Sequence, residues 1–220
     1  MIPSTIQAVI FDMDGVLIDS EPVWQQAEYE VLRDLGLPLQ RKDILETVGL
    51  RIDQVVDYWY RRMPWDNYDN GAVAAQIVDR VIAYIKKEGA PMAGVLDALA
   101  CCKARGLKVG LATSSSWTII DAVLDKLEIR HCFDAMESAE HLAYGKPHPE
   151  VYLNCAAKLG VPARLCLAIE DSFNGLIAAR AATMHTLAIP PAHERGQPRW
   201  VIAHERAETL TELPALLAGD

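Results

Sequence analysis

Apolar and polar positions alternate in two different regimes along this chain. Over residues 6–11, Ile-Gln-Ala-Val-Ile-Phe, apolar side chains are almost continuous. So short a run predicts a strand buried on both faces. From residue 19 the spacing changes. Ser20, as N-cap before Glu21-Pro22, signals a helix start, and Trp24, Ala27, Val31 and Leu35 then recur at helical spacing until Gly36. Further helices are predicted over 52–63, around Val55, Val56 and Trp59, and over 72–88, closed by Gly89. No strand pattern interrupts residues 19–88.

After Gly89-Ala90-Pro91 short apolar runs alternate with helical patterns. Strands are predicted over 107–113, 133–136, 165–169 and 186–189. Helices are predicted over 95–104, 118–127, 150–159 and 175–182, with a short helix over 209–217. This alternation predicts an α/β fold: a doubly wound, Rossmann-like parallel sheet. The helical block falls inside it, just after the first strand. The expected division is an α/β core of residues 1–18 and 89–220, with a small helical cap domain over 19–88.

Composition narrows the setting. A chain of 220 residues, 51% of them apolar, suits one large domain, or one domain with a modest insert. The net charge is −9 and there is no basic block, which argues against nucleic acid and anionic membrane as partners. No apolar stretch is long enough to span a bilayer, and "MIPSTIQAVIFD" lacks the basic start of a signal peptide. Five cysteines without CxxC spacing read as apolar fillers in a reducing compartment. The chain is therefore expected in the cytoplasm and, with no dimer seam in its pattern, as a monomer.

In a parallel sheet the ligand sits beyond the carboxyl ends of the strands. Polar residues gather at four such places here: Asp12-Met13-Asp14, Thr113-Ser114-Ser115-Ser116, Lys146 in "GKPHP", and Glu170-Asp171-Ser172. Two carboxylates about 4 Å apart repel by roughly 4 kcal/mol at an effective dielectric near 20. Asp12, Glu170 and Asp171, without imidazole or thiolate company, select a hard cation, best Mg²⁺. Hydroxyls and backbone amides after the second long strand suit a phosphate, and Lys146 supplies further positive charge. Asp-x-Asp then has a chemical meaning. Asp12 can attack phosphorus, and Asp14 can protonate the leaving oxygen and later activate water. A lone Asp at a strand end reads as a turn residue; four polar clusters in series do not. Ser172 and Asn174 read as N-caps, Ser115 and Ser116 as loop and cap residues. Trp24, Trp59 and Trp65 read as mostly cap core, with one or two also candidates for lining the substrate pocket, and Arg51 is a candidate for touching substrate.

Four segments, "FDMDGVLIDSEP", "GLATSS", "GKPHPEVY" and "AIEDSFNG", resemble in order the motifs of the haloacid dehalogenase superfamily of phosphohydrolases. The resemblance implies Asp12 as nucleophile and Mg²⁺ ligand, with Asp14 as acid/base that gives the metal its backbone carbonyl. It implies Asp171 and Glu170 at the metal, and Met13, Thr113, the Ser114 amide and Lys146 around the phosphate. "GLRIDQVVDYWY", "MPW", "KPHPEVYLNCAAKLGV" and "EDSFNGLIAARAA" are similar to the branch of bacterial hexitol and 2-deoxyglucose-6-phosphate phosphatases. That branch implies a small phosphorylated sugar or sugar alcohol as substrate. The rivals are a β-phosphoglucomutase, whose cap histidine position is held here by Trp24, and a non-catalytic phospho-ligand or phospho-receiver protein. A true dehalogenase would lack Asp14. Gly145 stands where Ser is common before the lysine, and is expected to cost a local hydrogen bond.

Overall fold

The computed structural model describes residues 2–219. Among the described residues one parallel sheet forms from β1 (Ala8–Phe11), β2 (Lys108–Thr113), β3 (Ala135–Ser138), β4 (Cys166–Glu170), β5 (His185–Ala188) and β6 (Glu205–Arg206). The strand order is β3-β2-β1-β4-β5-β6. Side chains of successive residues leave opposite faces of a strand, so one strand feeds two cores. Val9 and Phe11 join Val109, Leu111, Leu167 and Ile169 on one face. Ala8 and Ile10 join Ala112, Cys166 and Ala168 on the other. The first face is covered by α4 (Val95–Ala104), α5 (Trp117–Leu127) and α8 (Leu213–Ala218). The second is covered by α6 (Glu150–Leu159) and α7 (Phe173–Ala181). This is the doubly wound α/β fold that the apolar runs predict.

The helical insert consists of α1 (Glu21–Asp34), α2 (Ile52–Arg62) and α3 (Asn70–Glu88), with a 3-10 segment, Arg41–Thr47, between the first two. Leu32, Ile44, Val55 and Trp59 make a small core of its own. A second seam joins it to the sheet domain, where α3 packs on α5. The two chain crossings run side by side. The Met92 amide donates to the Leu17 carbonyl at 3.0 Å and the Asp19 amide to the Ala90 carbonyl at 3.4 Å.

Several elements depart from the sequence prediction. The edge strand β3 begins at Ala135 rather than 133, because the Asp134 carboxylate accepts the Val109 amide at 2.7 Å and its own amide bonds the Val109 carbonyl. The final α-helix begins only at Leu213, with Pro214 in its first turn, where a missing N–H costs nothing. Strand β6 is two polar residues long and has no apolar signature to read. The cysteines are unpaired. Burial pushes the thiols of Cys102 and Cys155 up to about 12 and that of Cys166 to about 11. Such thiols are inert fillers, as their spacing suggests.

Candidate active site

Strands β1 and β4 are neighbours at the point where the order reverses, and the crevice opens at their carboxyl ends. The Asp12 amide continues the ladder to the Ile169 carbonyl at 3.0 Å, which holds its side chain at the sheet edge. Lys146 reaches the same point from the loop before α6. Its ammonium lies 2.6 Å from Asp12 Oδ1, 2.6 Å from Glu170 Oε1 and 3.1 Å from the Ala112 carbonyl. The lysine is 2% exposed. Burial alone would lower its pKa, but the two facing carboxylates outweigh that and raise it. Glu170 is fixed further by the Tyr152 hydroxyl and by Ser172 Oγ at 3.1 Å.

Asp171 is different. It is buried, yet among the described residues its carboxylate accepts no hydrogen bond and forms no ion pair. Gly15, at φ +72°, passes so close that a Cβ there would lie 1.9 Å from Asp171 Oδ2. The backbone therefore needs glycine both for its conformation and for its approach. Asp12, Glu170 and Asp171 place oxygens all within 4.8 Å of one another. Burial pushes the Asp12 carboxyl up to about 8 against the pull of Lys146; burial also holds the Asp171 carboxyl well above the usual range, with Asp12 and Glu170 adding repulsion. Three carboxylates face one ammonium, so two negative charges remain when all are ionised. An all-oxygen donor set with an unpartnered buried carboxylate and that imbalance fits a divalent hard cation.

Asp14 sits two residues on from Asp12 in a loop, not a strand, and three donors hold it. Ser20 Oγ lies 2.5 Å and Trp24 Nε1 2.9 Å from Oδ1, and Ser115 Oγ lies 2.6 Å from Oδ2. Sequence reasoning missed all three. Ser20 does stand at the N-cap of α1, but its side chain makes no cap hydrogen bond and turns to Asp14. Trp24 is a carboxylate donor as well as cap packing, and Ser115 is more than a loop residue. Thr113, at the end of β2, accepts the Ser115 amide at 3.1 Å, which leaves its hydroxyl proton free to donate. Ser114 lines the same cavity and its hydroxyl approaches the Gly49 carbonyl at 3.5 Å. Met13 buries its side chain in the core, so only its backbone can serve the site. Asp12, Asp14, Thr113, Ser114, Lys146 and Asp171 thus line one cavity. Glu170, fully buried, stands behind Lys146.

Three other expectations change. Arg51 is a strut between insert and sheet domain. Its Nη1 donates to the carbonyls of Ala139 and Leu142, each at 2.6 Å, and its Nε bonds Asp53 at 2.5 Å. Gly145 makes that strut possible, since a Cβ there would lie 2.9 Å from Arg51 Cβ and 2.7 Å from Gln54 Oε1. What the sequence suggests as a lost hydrogen bond is a close approach of α2. Asn174 likewise donates to the Val48 carbonyl at 3.0 Å, while Ser172 alone caps α7. Arg51→Met is expected to weaken the docking of the insert by about 1–3 kcal/mol. Limited proteolysis within residues 41–70 would then proceed faster than in the wild type.

With this geometry in hand, comparison with known proteins places the chain. Residues 6–183 match the family described as haloacid dehalogenase-like hydrolase. Hexitol phosphatase B of Escherichia coli K12 is 47% identical over 214 residues, 97% of this chain and 96% of that one. The crystal structure of CbbY from Rhodobacter sphaeroides in complex with phosphate superposes with a TM-score of 0.83 at 26% identity, covering 94% of this chain and 96% of that one. A β-phosphoglucomutase from Clostridium difficile gives a TM-score of 0.80 at 23% identity, covering 94% and 93%, a likeness of fold alone. The chain belongs to the haloacid dehalogenase-like hydrolases. Within them it is an enzyme, a phosphatase.

Proposed function

We propose that this phosphatase hydrolyses small phosphorylated sugars or sugar alcohols, with Mg²⁺, through an aspartyl-phosphate on Asp12. The observation that carries the reading is the pairing of two aspartates with different surroundings. Asp12 is paired with Lys146 at the strand end, and Asp14 is braced by three donors two residues away. Sugar and sugar-alcohol substrates are suggested by the 47% identity to hexitol phosphatase B.

In this reading an Asp12 oxygen attacks phosphorus while the bond to the leaving oxygen breaks, and Asp14 gives that oxygen its proton. Asp14 then takes a proton from a water that attacks the same phosphorus, and the bond to Asp12 breaks. Thr113 and the backbone of Met13 and Ser114 orient the phosphoryl oxygens, and Lys146 opposes their charge. The divalent ion, held by Asp12, Asp171 and the Asp14 carbonyl with Glu170 behind, would supply the remaining neutralising charge. Residues 19–88 act as a cap that excludes water during attack, hinged where Leu17–Asp19 and Ala90–Met92 run together. Unpaired cysteines fit a cytoplasmic setting, and no helix among the described residues is long and apolar enough to cross a membrane. A monomer suffices for every step.

The mutase alternative needs a cap group that trades protons with a sugar. Trp24 stands there with an indole N–H, which only donates. The test is phosphate release from hexose, hexitol and pentose phosphates and β-glucose 1-phosphate. With Mg²⁺ we expect release; EDTA should reduce it to background and excess Mg²⁺ restore it. Interconversion of glucose 1- and 6-phosphates without release would establish the mutase instead.

A further inference from the structure

One buried carboxylate in the cavity takes no part in this chemistry. Glu28, on α1, lines the same cavity as Asp12, Asp14 and Lys146 and is 8% exposed. Among the described residues no Lys, Arg or His pairs with it. Its one hydrogen bond comes from Thr47 Oγ1 at 3.5 Å, and that hydroxyl lies closer, at 3.0 Å, to the Ile44 carbonyl. A hydroxyl has one proton, so Glu28 is left nearly unpartnered. Its neighbours on the inner face of α1 are Ala27, Val31 and Leu32, among which an apolar side chain would sit without cost. Burial holds its carboxyl well above the usual range, and Glu21, two turns earlier and on the same cavity wall, adds to that. When ionised it would repel a phosphate, whose oxygens Thr113, Ser114 and Lys146 already engage in this reading, so its partner is carried by the other end of the substrate.

We infer that Glu28 is a specificity-determining residue: it binds hydroxyl groups of the leaving alcohol and so selects polyhydroxylated substrates. This rests on the reading of the site as a sugar-phosphate phosphatase. A polar group buried for a hydroxyl discriminates strongly against a ligand that lacks one, because it is then left unpaired.

The experiment compares wild type, Glu28→Gln and Glu28→Met on glucitol 6-phosphate and on p-nitrophenyl phosphate, whose leaving group carries no alcohol hydroxyls besides the one released. The ratio of kcat/KM for the first over the second is expected to fall by about 10- to 100-fold in Glu28→Met, mainly through KM. Glu28→Gln, which keeps an acceptor, should fall less. The melting temperature of Glu28→Met should equal or exceed that of the wild type, since an unpartnered buried carboxyl is removed. An unchanged ratio, or a lower melting temperature with equal losses on both substrates, overturns the inference and makes Glu28 a packing residue. If the wild type cleaves p-nitrophenyl phosphate but none of the sugar or sugar-alcohol phosphates, the substrate reading itself fails, and the role of Glu28 with it.

Discussion

Asp12→Asn is expected to lower kcat by about 10⁵-fold or more, the scale on which losing a nucleophile acts. The substitution changes almost nothing else. An amide oxygen can still accept from Lys146, which keeps its bonds to Glu170 and to the Ala112 carbonyl. Space is conserved, and one of three mutually repelling carboxylates is neutralised, so the fold should melt within a few degrees of the wild type. The contrast is the point: a fold that survives while turnover disappears assigns Asp12 to the chemistry and not to the scaffold. Stopped reactions with radiolabelled substrate phosphate provide the second readout. Wild type should carry acid-trapped label on protein, and Asp12→Asn should carry none. Retention of more than about 1% of kcat would move the nucleophile elsewhere and, with it, the meaning of the Asp-x-Asp spacing.

How much of this could be read from residues alone follows from the range of the interactions concerned. The sheet was legible because each strand is a short, nearly unbroken apolar run, and strand ends are where an unexpected carboxylate stands out. Asp12, Glu170 and Asp171 are visible for that reason, Lys146 stands out by its place in "GKPHP", and the structure brings all four together at β1 and β4. The braces of Asp14 were not legible. Ser115 is 101 residues away in the chain, and Ser20 carries a helix-cap signature that its position satisfies while its hydroxyl does something else. Arg51 reads as a candidate for touching substrate because it is a charged residue in the loop before a cap helix. Its purpose lies in carbonyls 88 and 91 positions further on, which no local pattern reveals. Gly145 belongs to the same class. A missing side chain shows what it removes, not the backbone it admits. Short 3-10 segments and the two-residue β6 fail for a simpler reason, having too few positions for a period to appear.

Lys146→Met is expected to remove activity and, unlike Asp12→Asn, to cost the fold about 3–5 kcal/mol. For a chain of this length that corresponds to a melting temperature lower by about 10 °C. Methionine matches the length of the lysine stem and suits a site only 2% exposed, so packing is kept and what is lost is charge. Asp12 and Glu170 each lose a partner at 2.6 Å and then face Asp171 without a cation between them. Removing one member of a buried ion cluster leaves the others uncompensated, which is costlier than never having placed them there. Two follow-up measurements separate this from a packing defect. Adding Asp12→Asn to Lys146→Met should recover part of the lost stability, since one repelling charge disappears, whereas two packing defects would add. Magnesium should also raise the melting temperature of Lys146→Met more than that of the wild type, because the cation then meets a site with less competing positive charge. If Lys146→Met instead melts with the wild type in EDTA, the three carboxylates are not ionised together in the folded protein. The charge imbalance that selects a divalent ion would then have to arise from the arriving phosphate and not from the site itself.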